Sequence, residues 1–167
     1  MWSKLLKNFE RQPKKLAVIR FLIENGLGIR NGNICCNDLR ISVVEIARAA
    51  KVDRRTVMYT IRDVEKSREL NIVFKHLRSA GPSLKEVAPY LGFRVLEITP
   101  TNPKAPGILA KVAGVLADMG VTVRQALVDD PELHPQPKLT LIVEGEIPSE
   151  AISQILKIRG VARITMY

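Results

Sequence analysis

A chain of 167 residues has room for one ordinary domain or two small ones, and 46% hydrophobic with 26% charged residues exclude a disordered protein. Its longest apolar stretch, Gly107 to Ala117, is too short and too interrupted by lysine to span a membrane, and the opening residues carry no signal-peptide pattern. The net charge of +9 lies wholly in the first part: 18 Lys and Arg stand against nine Asp and Glu through Gly92, and eight against eight thereafter. A localised positive excess suits a polyanion partner, whereas the neutral remainder suits other work.

Along the chain, Trp2, Leu5, Leu6 and Phe9 fall at the spacing of a short amphipathic helix ending near Glu10. Pro13 suits the first turn of a second helix to about Gly26, with Leu16, Ile19, Leu22 and Ile23 on its apolar side. Residues 25–33 are rich in turn formers and read as a loop, and residues 39–42 as a short strand. Between them Cys35 and Cys36 are the only cysteines; adjacent residues do not easily meet disulfide geometry, so a reducing cytoplasm is the expected location.

A third helix opens at Ser42, with Glu45 at capping-box spacing, and runs to about Ala50. Lys51 and Val52 make a turn, and Asp53 caps a fourth helix ending near Lys66. Residues 71–77 have strand-like content. Residues 79–92 read as a linker with a short helix capped by Ser83 with Glu86 and stopped at Gly92. The expected division is therefore 1–78, a linker 79–92, and 93–167.

From Phe93 the pattern changes. Residues 93–99 alternate as a half-buried strand does, Pro106 and Gly107 lead into an apolar helix to about Met119, and residues 120–128 form a second strand. A polar connection over 129–137, a strand over 138–145, a helix over 148–158 and a strand from Val161 complete a βαββαβ order. The fold class is α+β: a mostly helical, optionally winged first domain, then a ferredoxin-like second one.

Within the first part, Ile46-Ala47, Ala50, Val52, Asp53 and Thr56-Val57 resemble the helix-turn-helix of many transcriptional regulators. Ala47 and Ala50 allow two helices to approach closely, Val52 fills the corner, and Val57, Ile61 and Val64 bury one face of the second helix. That leaves Arg54, Arg55, Met58, Tyr59 and Arg62, with Lys51 in the turn, as the candidate DNA-contacting residues. Arg54 and Arg55 oppose the preference of a helix start for acids, which an anionic partner would explain. Lys51 departs from the glycine usual at the turn, at a cost of roughly 1 kcal/mol if its φ is positive, and implies a turn of different shape. Residues 71–79 offer the wing of a winged version, pairing with 39–42 and bringing Lys75, His76 and Arg78 near the phosphate backbone.

Residues 93–167 resemble an ACT domain, a small regulatory module of amino-acid metabolism. Its markers are the strand at 93–99, the stretch from Ala105 to Val123, and the closing residues 158–167. The resemblance implies a dimer with a ligand between paired domains. By position it implicates Asn102, Lys104, Ala105, Pro106, Gly107 and Ile108, with Thr122 and Val123 across the interface. Proline would preset the first helical turn, and free amides there suit a carboxylate. Lys104 stands where amino-acid-binding members often carry Asn or Asp, and Thr122 where Asn is found, which favours an acidic ligand or none. A purely dimerising module is the alternative.

No catalytic set, metal-ligand spacing or cofactor motif stands out. The pairing resembles a group of archaeal-type proteins expected to regulate amino-acid metabolism. Its implications are a cytoplasmic, non-enzymatic homodimer or higher homo-oligomer that binds DNA and an amino-acid or acidic effector, with no membrane association. The alternative is a non-catalytic regulatory subunit docking on a biosynthetic enzyme.

Overall fold

The computed structural model describes residues 2–167. The described residues divide into two compact units, 2–81 and 82–167.

The first unit opens with helices α1 (Trp2–Lys7) and α2 (Pro13–Glu24). Three short strands follow, β1 (Leu27–Arg30), β2 (Asn33–Cys36) and β3 (Leu39–Ile41), forming an antiparallel sheet in sequence order. This corrects the loop expected over 25–33. Asn31 and Gly32 both have positive φ, 50° and 72°, the two-residue turn whose twist matches a hairpin. The strand at 39–42 exists but pairs with β2.

Helices α3 (Val43–Ala49), α4 (Arg54–Lys66) and α5 (Arg68–His76) complete the unit. Ser42 caps α3 by accepting the Val44 N–H, while Glu45 turns to Arg48 instead of closing a reciprocal box. The wing is not formed. Residues 71–77 belong mainly to α5, capped by Ser67 through the Leu70 N–H, and bury Leu70 and Phe74 one turn apart. Lys75, His76 and Arg78 therefore sit at a helix end rather than on a wing; Arg78 pairs with Asp38, and His76 Nδ1 lies 2.8 Å from the Ile72 carbonyl.

The second unit begins with residues 82–92, which the sequence reading assigned to a linker, and contains a single short 3-10 turn (Ala88–Leu91) rather than a helix from Ser83. Then come β4 (Phe93–Pro100), α6 (Ile108–Asp118), β5 (Val123–Val128), β6 (Leu139–Glu144), α7 (Ser149–Leu156) and β7 (Val161–Met166). The strand order β5-β6-β4-β7 is antiparallel throughout, the ferredoxin-like arrangement.

One face of that sheet is packed by α6 and α7 around Leu96, Ile98, Val112, Leu116, Leu141, Val143 and Ile155. The other is partly covered by residues 82–92, whose Leu84 and Ala88 meet Phe93, Val95 and Ile142. Gln125 of β5 fastens this cover: its Oε1 accepts the Leu84 N–H at 2.9 Å and its Nε2 donates to the Pro82 carbonyl at 2.8 Å.

Candidate functional site

Helices α3 and α4 form a helix-turn-helix. Ile46 and Ala47 are buried on α3, and Val57, Thr60, Ile61 and Val64 on α4. The turn between them is a Schellman motif: the Lys51 N–H reaches the Arg48 carbonyl at 3.2 Å and the Val52 N–H reaches Ala47 at 2.9 Å. Lys51 sits at φ 53°, the left-handed position usually given to glycine. The turn thus keeps the ordinary geometry and lysine bears the strain, where a turn of different shape was expected.

Asp53 caps α4. Its carboxylate accepts both the Thr56 N–H and the Thr56 hydroxyl at 2.8 Å, and it lies 3.8 Å from Lys14 Nζ. The hydrogen bonds from the Thr56 hydroxyl and N–H hold its carboxyl below the ordinary carboxylate value. A capping charge fixed here offsets the two arginines that follow.

Lys51, Arg54, Arg55, Met58, Tyr59 and Arg62 are all exposed. Arg54, Arg55, Met58, Tyr59 and Arg62 line one shallow surface groove. The Arg62 guanidinium lies 5.9 Å from the Tyr59 ring centre, a cation–π contact at the limit of the usual range. Among the described residues none of the four cations forms an ion pair, although Lys4, Lys14, Lys15, Arg48 and Arg78 of the same unit all do. Their charge is left facing solvent.

In the second unit, Pro106 and Gly107 form a turn ahead of α6 rather than its first turn. Gly107, at φ 86° and ψ 0°, has the dihedrals of the third position of a type II turn and precedes the helix with no side-chain cap. Asn102 Oδ1 accepts the Lys104 N–H at 3.0 Å, closing the loop upstream.

A pocket of about 220 Å³ opens between this loop and the β5–β6 connection. Ala105, Gly107 and Ile108 line it, together with Ile98, Leu109, Val128 and Leu139, and with Asp129 and Lys138 at the connection. Asn102, Lys104 and Pro106 do not line it. Thr122 and Val123 stand at the start of β5, away from Val128 at its pocket end, so one chain does not bring them to the pocket.

Sequence reasoning missed the residues from the connection. The Asp129 N–H donates to the Lys138 carbonyl at 2.9 Å and the Asp129 carboxylate accepts the Lys138 N–H at 3.1 Å, while Asp130 Oδ1 accepts the Glu132 N–H. The signal was an Asp at each of 129 and 130, both able to close turns on nearby amides. Beyond the pocket, Glu97 is buried on the sheet face under residues 82–92, bound by Lys85 at 2.6 Å and Lys138 at 2.7 Å. Burial pushes its carboxyl up, but the two lysine hydrogen bonds and charges outweigh it and hold the group below the ordinary value.

Among the described residues there is no cluster of three or more His, Cys, Asp or Glu able to hold a metal ion, and no helix long and apolar enough to cross a membrane. No protein-family model matches the chain, and no curated protein matches it in sequence. In structure it is similar to the regulatory subunit of aspartate kinase from Thermus thermophilus, with TM-score 0.37 and 23% identity over 46% of this chain and 51% of that one. It is also similar to a homoserine dehydrogenase from Thiobacillus denitrificans, with TM-score 0.36 and 16% identity over 69% of this chain and 28% of that one. An AsnC-family transcriptional regulator from Agrobacterium tumefaciens gives TM-score 0.30 and 12% identity over 92% of this chain and 86% of that one. The chain spans about half the length of the first of these proteins and under a third of the second. At such scores the likenesses carry no argument about function.

Proposed function

We propose that the protein is a non-enzymatic, DNA-binding transcriptional regulator of amino-acid metabolism, whose second unit is an ACT-like module for effector binding and homodimerisation. The observation that carries the first half is the exposed face of α4. Among the described residues its arginines form no ion pair, while its opposite face is buried and its start is capped by a held carboxylate. Such a face can enter a major groove, with arginine pairing to guanine or phosphate. A cytoplasmic location follows from this role.

Two half-sites about 34 Å apart, one helical turn, would suit a dimer of such units. The edge strands β5 and β7 of the second unit offer the pairing surfaces, as open strand edges commonly do. Of the two effector classes expected from sequence, the pocket favours a small amino acid with an apolar side chain. Its lining is mostly aliphatic, Lys104, the cation that pointed to an acidic ligand, lies outside it, and the ammonium of Lys138, which does line it, is bound to Glu97. The uncapped start of α6 and Asp129 supply the complementary ends for a carboxylate and an amine.

Selection of preferred duplexes from a random pool tests the DNA reading. Arg54→Ala and Arg55→Ala should each weaken the selected complex by about 1–3 kcal/mol where the side chain reads a base. Binding without sequence preference would instead favour docking on an acidic protein surface, since any basic unit binds DNA non-selectively. A thermal-shift panel of amino acids and acidic metabolites tests the second half. A ligand at a hundred times its dissociation constant should add about 2.7 kcal/mol. A flat panel would reduce the second unit to a dimerising module.

A further inference from the structure

The β1–β2–β3 sheet lies before the helix-turn-helix in the chain, yet it borders the face of α4. Gly32, in the β1–β2 turn, and Arg40, on β3, line a groove shared with Arg54, Met58, Arg62 and Glu65. A neighbouring groove again joins Gly32 and Arg40 to Arg54. Arg54 also belongs to the groove of the reading face, so the three surfaces run together. Arg54, Met58 and Arg62 are spaced four residues apart and form the stripe of α4 nearest the sheet.

Charge and rigidity distinguish this flank from a merely basic surface. Arg40 is exposed and, among the described residues, has no ion-pair partner. The one carboxylate in the groove, Glu65, accepts the Gly32 N–H at 2.6 Å. That bond pins the hairpin turn to the last turns of α4. From the end of β1 beside that turn, the Arg30 side chain donates to the carbonyls of Lys75 and Leu77, each at 3.2 Å, and to that of Asn37 in the β2–β3 turn. Asp38 in the β2–β3 turn pairs with Arg78 at 3.3 Å. Arg40 therefore stands on a sheet whose β1–β2 and β2–β3 turns are both held to the helices, beside rather than upon α4.

We infer that Arg40 and the braced β-sheet clamp the sugar–phosphate backbone flanking the major groove that α4 occupies, making a sequence-independent contact. This rests on the DNA-binding reading above. A strand alongside a recognition helix reaches the groove wall, where phosphates lie, and arginine there positions the protein without reading sequence. Glu65 is the positioning residue that holds the hairpin in place.

The test uses the full chain and two duplexes, the selected sequence and a scrambled one, each titrated over a range of salt. Arg40→Ala should weaken both duplexes equally, by about five- to tenfold near 0.1 M salt, and lower the salt slope by about 0.9. Arg40→Lys should keep the slope, since a phosphate accepts either cation. Arg48→Ala, which removes a cation already paired with Glu45, should change neither. An unchanged slope in Arg40→Ala, beside a loss of affinity in Arg54→Ala, would overturn this inference alone. Loss of preference for the selected duplex in Arg40→Ala would also overturn it, by making Arg40 a base reader. A wild-type chain with no sequence preference would remove the reading of α4 and this contact together.

Discussion

At the scale of single residues, Lys51 concentrates the conflict between folding and function. A lysine at φ 53° costs roughly 1 kcal/mol relative to glycine, because its Cβ crowds the following carbonyl. The surrounding Schellman hydrogen bonds make the left-handed conformation obligatory, so the strain cannot be relieved by reshaping the turn. Nothing in the fold rewards the ammonium, which is exposed and, among the described residues, forms no ion pair. On the proposed DNA-binding reading, its position beside the start of α4 sets it near phosphate. Lys51→Gly should therefore raise stability to denaturant by about 0.5–1 kcal/mol, since the added backbone entropy of unfolded glycine offsets part of the gain. The same variant should bind DNA more weakly, with a salt slope lower by about 0.9. Gain of stability without loss of affinity would show that the charge at residue 51 does not meet DNA.

At the scale of elements, the sequence was legible where one period dominated and failed where two signals competed. The two helices around residues 50–53 and the ferredoxin-like order follow from apolar spacing and from caps such as Ser42 and Asp53, the helix-turn-helix from the resemblance of residues 46–57 to that motif, and the structure has them. Residues 71–77 misled because Ile72, Val73 and Phe74 form a β-prone run. Helix wins because Ser67 caps the segment and because Leu70 and Phe74 fall on one buried face. A window opened at Ser67 exposes that period; one opened at Asn71 hides it. The first hairpin was hidden by its glycines. Asn31-Gly32 is a strong turn signal, but Gly26 and Gly28 suggested more turn ahead of it. Gly28 is in fact strand, needed because a Cβ there would lie 2.7 Å from the Leu77 carbonyl oxygen and 2.8 Å from that of Phe74. That tertiary reason has no local signature, so the groove built by the hairpin and Arg40 was invisible as well. The pocket of the second unit was half legible: the loop before α6 was found from Pro106-Gly107, but the contribution of Asp129 and Lys138 depends on a long connection folding back.

At the scale of the whole molecule, the two units differ in charge balance. The first carries the entire excess of +9, and among the described residues Lys51, Arg54, Arg55 and Arg62 form no ion pair; the second holds nine of each sign, with pairs such as Arg124 with Glu144 and Arg94 with Glu146. The most buried of these networks is Glu97 between Lys85 and Lys138, with the Tyr167 hydroxyl donating at 3.4 Å. Lys85 belongs to the segment by which the chain enters the second unit, so this network and Gln125 together hold that segment on the sheet. Removing either sign has different consequences. Glu97→Gln leaves two lysines, 37% and 27% exposed, that can turn to water, so its cost should be small. Lys85→Met with Lys138→Met strands a buried carboxylate and should cost about 2–4 kcal/mol at pH 7, below the loss for a fully dry pair because the lysines are partly hydrated. The pH dependence separates the two causes. In the wild type Glu97 is held below its unfolded value, so its contribution is present above the unfolded pKa and disappears as pH falls through the folded one. Lys85 is raised, chiefly by its hydrogen bond to Glu97, so its contribution is complete below the unfolded lysine pKa and disappears as pH rises through the folded one. In the double variant only burial acts strongly on Glu97, its pKa moves above the unfolded value, and the penalty vanishes once the group is protonated. Urea unfolding of the two proteins should therefore differ most near pH 7 and converge as pH falls through the folded pKa of wild-type Glu97. A gap that persists unchanged into acid would mean that lost packing of the lysine stems, not the stranded charge, sets the cost.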